Sequence, residues 1–292
     1  MKCHIVPMSY LKSWSTDETK KEKRAKREVY CCYVSKDSQS MYLTRTKNIT
    51  EDTIVAEDIY ITEKTQSFVE DNMNQKYESQ WNDFISHYEV MIKDNQIISY
   101  KVEFLLEFML LQLLRTFVYM ETAIGGAYDK VINILKSAFP ELYEALGDEL
   151  KNEYIAEKFV DIIKKFLCGE KYPIVEMLKN DFFRLKKVCL VSNKNSYFWT
   201  CDVPIVYVAN EQDFKGFYMP ITPKICVYLY DNNKTNKMQF DICRVSNRVV
   251  KFVNHIIMDN ARNVVISNIE TMENRKSNVY PHRDYMKIKN KA

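Results

Sequence analysis

The stretch FLLEFMLLQLLRTFVYM, residues 104–120, is the most apolar part of this 292-residue chain. It predicts a helix over about 99–122 that is apolar on nearly all sides, so we expect it at the centre of a helical region. Glu107, Gln112 and Arg115 interrupt the run. Because fewer than about 20 uninterrupted apolar residues remain, we interpret it as a core helix and expect no membrane association.

Helical periodicity extends on both sides of this stretch, over about 65–190. Before it, large apolar residues recur at spacings of three to five and define one helix face: Phe68, Met73, Tyr77, Trp81, Phe84, Tyr88 and Met91. After it, amphipathic helices are predicted near 127–138, 141–167 and 174–187.

The two ends of the chain favour β-structure. Residues 3–14 and 29–44 are predicted to be extended, short strands follow residue 188, and a last helix is predicted at about 244–261. The fold class is therefore α+β: a central helical region (about 65–190) packed against a mostly antiparallel sheet formed by the N-terminal and C-terminal segments. We expect one domain with a tail, divided as follows: β-rich 1–64, helical 65–190, β-rich with the last helix 191–270, and a basic polar tail 271–292.

Composition places the chain among globular proteins, with 46% hydrophobic residues and a net charge of +3. Eight cysteines occur without a C-x-x-C pair, and the first residues contain no apolar leader, which predicts a reduced, cytoplasmic protein. Residues 1–30 hold eight Lys or Arg against four acids, and residues 275–292 hold six against one. Basic ends favour nucleic acid as a partner, although solvated ends are the simpler alternative.

Several enzyme classes lack their signatures in this chain. There is no G-x-S-x-G, G-x-x-x-x-G-K-[ST], G-x-G-x-x-G or H-E-x-x-H sequence and no zinc-ligand spacing. These absences argue against serine hydrolases, P-loop NTPases, Rossmann dehydrogenases and zincins.

The polar residues of the apolar helix are the first candidates for a site. Gln112 and Arg115 share a face, and Glu107 lies about two turns before Arg115 on roughly the same side. A buried charge without a partner commonly lowers the stability of a folded protein by several kcal/mol, so we expect Arg115 to be paired. Arg115 either forms a structural ion pair, or it is an anion-binding or catalytic arginine that Glu107 and Gln112 hold in place.

Carboxylates supply a second group of candidates. Glu70 and Glu78 are eight residues apart and approach one helix face, and Asp202 lies at a strand end or turn. Glu78 and Asp202 suit Mg²⁺ or Mn²⁺ binding or acid–base chemistry. The alternatives are a solvated helix face for the glutamates and turn formation for Asp202.

Histidines and the last helix complete the candidates. His4 is one of four histidines and is followed closely by Tyr10, which we expect to anchor the segment. The candidates for binding are Tyr10, Gln112, Asn254 and Arg262. Arg248 and His255 have a spacing that helical ribonucleases with an R-x₄₋₆-H pattern also use, a match that chance often produces. His87 and His282 are interpreted as incidental.

Six segments together resemble a bacterial family known only as a domain of unknown function. They are, in order, HIVPMSYL, the FVE…YESQW helix, LLQLLRT, YFWTCDVPIV, FYMPITP and VNHIIMDNARNVVIS. The family opens with His-x-x-Pro-x-x-Tyr/Phe-Leu and carries Thr-Ser-Asp-Asn-Pro-Val, where this chain has Cys201 and Val203 in place of Ser and Asn. The resemblance groups five residues as motif positions: His4, Glu78, Gln112, Arg115 and Asp202.

These residues favour a phosphodiester-cleaving, nuclease-like enzyme in a bacterial or phage-conflict setting. His4 would act as general acid or base and Arg115 would bind phosphate. Glu78 and Asp202 would hold Mg²⁺ or Mn²⁺ or orient the imidazole. One alternative is a non-catalytic nucleic-acid or protein interaction module whose polar residues form a structural network. Another is hydrolysis or group transfer on a nucleotide-like small molecule.

Overall fold

The computed structural model describes most of the chain up to Ile269. The described residues are 2–4, 6–23, 26–34, 41–46, 55–57, 63–123, 128–147, 155–209, 215–231 and 237–269. The predicted basic tail, 271–292, lies outside them.

Helices fill the middle of the chain, in agreement with the predicted helical region. They are α1 (Met8–Leu11), α2 (Glu63–Met73), α3 (Ser79–Lys93), α4 (Val102–Ala123), α5 (Tyr128–Ala138), α6 (Pro140–Ala145), α7 (Ile155–Cys168), α8 (Pro173–Arg184) and α9 (Asn247–Asn260). A π-helical turn, Asn74–Glu78, joins α2 to α3, and a 3-10 turn, Lys12–Trp14, follows α1.

The helix α4 forms the centre of the helical layer. Every side chain from Phe108 to Tyr119 is buried, and the helix contacts α5, α7 and α8. Its aromatic residues pack against both neighbouring sides, with ring centroids 4.3 Å apart for Phe108 and Trp81 and 5.3 Å apart for Phe117 and Phe159. Burial on all sides explains the absence of polar periodicity in this segment. In the described part of the chain, no helix combines the length and apolarity needed to cross a membrane.

Strands come from both ends of the chain. They are β1 (Lys2–His4), β2 (Val29–Val34), β3 (Met41–Thr46), β4 (Val55–Glu57), β5 (Lys186–Ser192), β6 (Thr200–Cys201), β7 (Val206–Val208), β8 (Gly216–Thr222), β9 (Ile225–Tyr230), β10 (Asp241–Val245) and β11 (Val264–Ser267).

The strands form separate sheets rather than the single sheet that the sequence predicts. One sheet, ordered β3-β2-β11-β6, joins the two ends of the chain because β11 pairs antiparallel with both β2 and β6. A second sheet, ordered β10-β5-β9-β8-β7, comes from the C-terminal part and is antiparallel except for β10 against β5. A third pairs β1 with β4. The α+β class is confirmed, with helices between two β-forming ends.

The sequence predicts one continuous extended stretch over 3–14, but most of this segment is helical in the structure. After β1, the short helix α1 begins at Met8, directly after Pro7, and the 3-10 turn follows it. Tyr10 and Trp14 are fully buried, with ring centroids 4.7 Å apart. Pro7 itself has φ −56° and ψ 137°, and its ring restricts the backbone immediately before the helix. Helical spacing then places both aromatic rings on the core side.

One predicted helix is two helices in the structure. The sequence predicts a helix over 141–167, whereas α6 ends at Ala145 and α7 begins at Ile155. Gly147 follows the end of α6 and is a residue type that commonly ends helices.

The substitution Tyr10→Phe tests how the N-terminal segment is held. The Tyr10 hydroxyl donates to the Pro220 carbonyl and lies 2.7 Å from the Thr200 hydroxyl. Removing it leaves two buried groups without this partner, so we expect the free energy of unfolding to fall by about 1–3 kcal/mol in denaturant titrations. Tyr143→Phe, at a partly exposed position on α6, should change it by less than about 0.5 kcal/mol. Equal effects would show that the buried hydrogen bonds do not hold the segment.

Candidate functional site

The π-helical turn between α2 and α3 brings Glu70 and Glu78 to one side of the helix. In a regular α-helix, eight residues rotate about 80° beyond two full turns. A π turn accommodates about one more residue than an α turn, so the two glutamates are separated by about two complete turns. Such turns occur frequently at functional sites. The turn therefore lets both carboxylates act on the same partner.

That partner is Arg115, in the middle of α4. Its Nη2 donates to Glu70 Oε1 at 2.9 Å, and the exposed fractions of the two side chains are 3% and 25%. The arginine therefore lies behind the carboxylate, on the core side. We refer to Glu70, Glu78 and Arg115 as the arginine–glutamate cluster.

Glu107 lies in a different network from the one that its spacing predicts. Its carboxylate accepts hydrogen bonds from Lys179 Nζ at 2.7 Å and from the Tyr77 hydroxyl at 3.1 Å. The helix α4 is regular, so the eight residues from Glu107 to Arg115 leave the two side chains about 80° apart. A spacing of eight residues thus places two side chains on one side of the helix across the π turn, but not in α4.

The pKa of Glu78 is raised above its ordinary value. Burial is the main cause, because it disfavours the charged carboxylate. The positive charge of Arg115 lowers the pKa, the carboxylate of Glu70 raises it, and a hydrogen bond from the Ser9 backbone lowers it. Glu78 therefore retains its proton to a higher pH than an exposed glutamate does. A carboxyl group of this kind can donate a proton near an anion held by Arg115.

Gln112 lies one turn before Arg115 on α4 and is 1% exposed. Neither its amide nitrogen nor its amide oxygen has a hydrogen-bond partner among the described residues. A buried amide in this state costs free energy, commonly about 1–3 kcal/mol. Gln112 is therefore one polar group beside the cluster whose side-chain hydrogen bonds the described residues leave unmade.

Asp202 is fully buried at the end of β6, and it holds the connection from α9 to β11. Its two carboxylate oxygens accept the backbone N–H groups of Arg262 at 2.9 Å and Asn263 at 2.8 Å. Burial raises its pKa to about 6, although these hydrogen bonds oppose the shift. We refer to Asp202, Arg262 and Asn263 as the Asp202 turn.

A tyrosine links the Asp202 turn to α4. The side-chain amide of Asn263 donates to the Tyr119 hydroxyl at 2.6 Å, and Tyr119 follows Arg115 by four residues on α4. Arg115 and Tyr119 therefore share one face of this helix. The structure attaches the cluster and the Asp202 turn to successive turns of the same helix, and it shows no direct hydrogen bond between them in the described residues.

Four residues within or beside these two groups were not singled out in the sequence: Ser9, Tyr119, Lys130 and Asn263. Lys130 donates to Asn260 Oδ1 at 2.7 Å, and burial, with the nearby charge of Arg262, lowers its pKa to about 8. Extending the polar face of α4 by one turn would have identified Tyr119. The others carry no local signal, because they meet their partners only in the folded chain.

Two predicted binding residues make hydrogen bonds to other parts of the protein. Tyr10 bonds to Thr200 and Pro220, as described above. Asn254 accepts the backbone N–H of Trp199 at 2.9 Å and donates to the Tyr197 carbonyl at 2.9 Å, which attaches α9 to the segment before β6. Their binding role stays a prediction, and their polar groups already serve the fold.

The remaining candidates lie apart from the cluster or beyond what is described. His4 belongs to β1, and its side chain lies outside the described part of the structure. Arg248 and His255 are both on α9, and the His255 ring nitrogen Nδ1 lies 2.6 Å from the Lys251 carbonyl. Arg262 contributes its backbone to the Asp202 turn, and its side-chain Nε lacks a hydrogen-bond partner in the described residues.

Metal binding at Glu78 and Asp202 stays a prediction. The described residues contain no group of three or more His, Cys, Asp or Glu side chains that could hold a metal ion. Glu78 lies beside Arg115, and both oxygens of Asp202 accept backbone N–H groups. The expected Mg²⁺ or Mn²⁺ must therefore be tested by adding the ions.

The fold and the cluster define an α+β protein with a buried arginine held by carboxylates at the centre of its helical layer. The chain belongs to the family DUF4238, described as protein of unknown function, whose family model matches residues 2–271. Comparisons with curated proteins and with solved structures give no match.

The substitution Asp202→Asn tests the buried carboxylate through pH. The folded-state pKa of about 6 lies above the ordinary value of 3.8, so the charged form is penalised in the folded protein. The stability that this group contributes is present below about pH 4 and is lost as pH rises through 6, by up to about 3 kcal/mol. Asn lacks this titration and also lacks one acceptor for the backbone N–H groups. We therefore expect the variant to be less stable at pH 4, with a difference from wild type that shrinks toward pH 7.

Denaturant unfolding at pH 4, 5, 6 and 7 measures this difference. The control Asp231→Asn, at an exposed position, should show a difference that varies by less than about 0.5 kcal/mol over the same range. A difference that widens with pH for Asp202→Asn would mean that burial does not penalise its charge.

Proposed function

We propose that this protein is a phosphodiester-cleaving, nuclease-like enzyme whose site is the arginine–glutamate cluster. The observation that carries the proposal is a partly buried carboxyl group with a raised pKa, Glu78, beside the buried guanidinium of Arg115. Cleavage of a phosphodiester needs a group that protonates the leaving oxygen and a positive charge that stabilises the phosphorane-like transition state. These two residues supply one of each.

The roles follow from charge and protonation. Glu78 acts as general acid, because burial lets it keep a proton that it can transfer to the leaving oxygen. Arg115 neutralises charge on the phosphate, and its bond to Glu70 fixes the orientation of the guanidinium. Gln112, one turn away, supplies an amide donor for a further phosphate or sugar oxygen.

His4 is proposed as the general base that activates the attacking hydroxyl or water. This assignment rests on the ordinary imidazole pKa near neutrality and on the family-like motif around it. Asp202 is proposed as a positioning residue. It holds the backbone of Asn263, whose side chain donates a hydrogen bond to Tyr119 on α4. Nucleic acid would be attracted by the basic ends, and Mg²⁺ or Mn²⁺ would supply further charge neutralisation.

Cleavage assays with wild type and Glu78→Gln test the proposal. RNA, single-stranded DNA and duplex DNA are incubated with each protein, with and without Mg²⁺ or Mn²⁺. We expect wild type to cleave at least one substrate and Glu78→Gln to lower the rate about 100-fold or more, because an amide cannot donate the proton. The wild-type rate should fall as pH rises through the raised pKa of Glu78. His4→Ala should also lose activity while remaining folded.

Glu157→Gln is the matched control, since it removes an exposed carboxylate on α7. It should cleave at the wild-type rate. Absence of cleavage by wild type under every condition would overturn the proposal. Wild-type rates in Glu78→Gln would place the activity elsewhere in the protein.

A second candidate function is binding without chemistry. It is favoured by the hydrogen bonds of Tyr10, Asn254 and Asp202, each of which engages backbone or hydroxyl groups of the protein itself. In this case the polar residues form a network that holds the N-terminal segment and α9 against the sheet that joins the chain ends. Gel-shift binding of nucleic acid by wild type without cleavage would favour it over the enzyme.

A further inference from the structure

A polar cleft of about 390 Å³ lies apart from the arginine–glutamate cluster. Its walls are the segment that follows α1, one side of α3, the turn between β8 and β9, and the residue after β11. Of the described residues that line it, none belongs to the cluster. The cleft is therefore a separate candidate site, with its own chemistry.

Cationic side chains dominate the lining. Four cations and two carboxylates border the cleft: Lys12, Lys20, Arg27, Lys224, Asp17 and Glu89. Ser13, Asn82 and Ser86 add further polar groups. An excess of positive charge around a concave surface concentrates anions there.

One of the cations, Lys224, is held in place by the protein itself. Lys224 Nζ donates to three backbone carbonyls, those of Asn193 at 2.8 Å, Lys194 at 3.0 Å and Ser196 at 2.8 Å. It also lies 3.5 Å from the centroid of the Tyr197 ring. Its position is thus determined by the fold, and its charge contributes to the cleft without depending on a ligand.

Asn268, one of the residues that line this cleft, carries a buried amide oxygen with a hydrogen bond that the described structure leaves unmade. Asn268 lines the cleft, is only 8% exposed, and its Oδ1 lacks a hydrogen-bond partner among the described residues. Since this oxygen is shielded from solvent, the Asn268 side chain must reorient before the oxygen can accept a hydrogen bond from an amino or hydroxyl group of a ligand, and it then gains a bond that the described residues do not supply. Asp17 and Glu89 add exposed, charged acceptors at the border of the cleft.

We propose that this cleft binds a small phosphorylated molecule of nucleotide size. The cations match phosphate, and the acceptors match the hydroxyl and amino groups that a nucleotide carries and inorganic phosphate lacks. The volume lies within the range of about 300–1,000 Å³ that small-molecule sites occupy. Lys20 and Arg27 are the phosphate-binding residues, and Asn268 selects the organic part of the ligand.

Isothermal titration with the full-length protein tests the proposal. The probes are ATP, GTP, CTP and UTP, each alone, with inorganic phosphate for comparison. We expect at least one nucleotide to bind, with inorganic phosphate at least about tenfold weaker, because it reaches none of the acceptors. The double variant K20Q/R27Q should weaken nucleotide binding at least about tenfold. Asn268→Leu should weaken nucleotide binding and leave phosphate binding unchanged.

Matched variants separate the cleft from the cluster and from general charge. K171Q/K237Q removes two exposed cations that do not line the cleft and should bind nucleotide within about twofold of wild type. Glu78→Gln, expected to lower the cleavage rate about 100-fold or more, should bind nucleotide as wild type does. Loss of binding in Glu78→Gln would place the nucleotide at the cluster and overturn the separate site.

Other outcomes also overturn the proposal. They are no nucleotide binding by wild type at millimolar concentration, equal binding of phosphate and nucleotides, and unchanged binding in K20Q/R27Q. Thermal melting checks that the variants are folded. If K20Q/R27Q fails to fold, the single variant Lys20→Gln, at an exposed position, is used with the same criterion of weakened nucleotide binding.

Discussion

A positive charge in the middle of the most apolar helix is the constraint on which much of this structure depends. Arg115 lies in α4 among side chains that are all buried, so its guanidinium needs a negative partner inside the helical layer. Glu70 supplies that partner across the interface with α2. The π turn then brings Glu78 to the same side, where its carboxyl group meets both charges. The buried charge and its two carboxylates thus lie where α2 and the π turn meet α4.

The helix α4 also connects the cluster to the sheet in which the chain ends meet. Tyr119, one turn beyond Arg115, bonds to Asn263, and the neighbouring backbone is held by Asp202. Residues near the N terminus reach the same region, because Tyr10 bonds to Thr200 at the start of β6. Hydrogen bonds from both ends of the chain therefore meet at β6 and at Asp202, which follows it directly. Such networks favour a single arrangement of the elements that they connect.

The contrast between Glu70 and Glu107 shows where reasoning from spacing reaches its limit. Both lie eight residues from a partner of interest, Glu70 from Glu78 and Glu107 from Arg115. Periodicity treats the two spacings alike. The π turn removes the angular offset between Glu70 and Glu78, whereas the regular helix α4 leaves Glu107 and Arg115 about 80° apart around the helix axis. The prediction of an extended N-terminal segment had a related weakness, since helical and extended patterns are difficult to separate over a few residues.

The sequence by itself determined the order of β-forming ends and a helical middle, the central position of α4, and the presence of polar groups within it. Those features depend on local periodicity and on the cost of exposing apolar surface, and both can be read along the chain. Only the tertiary structure decided that Arg115 pairs with Glu70, that Asp202 holds the Arg262 and Asn263 backbone, and that Lys20, Arg27 and Asn268 border one cleft. The hydrogen-bonded partners are 45, 60 and 61 positions apart in the chain, and Asn268 is farther still from Lys20 and Arg27. They come together through helix packing and strand register, and local pattern contains no information about either.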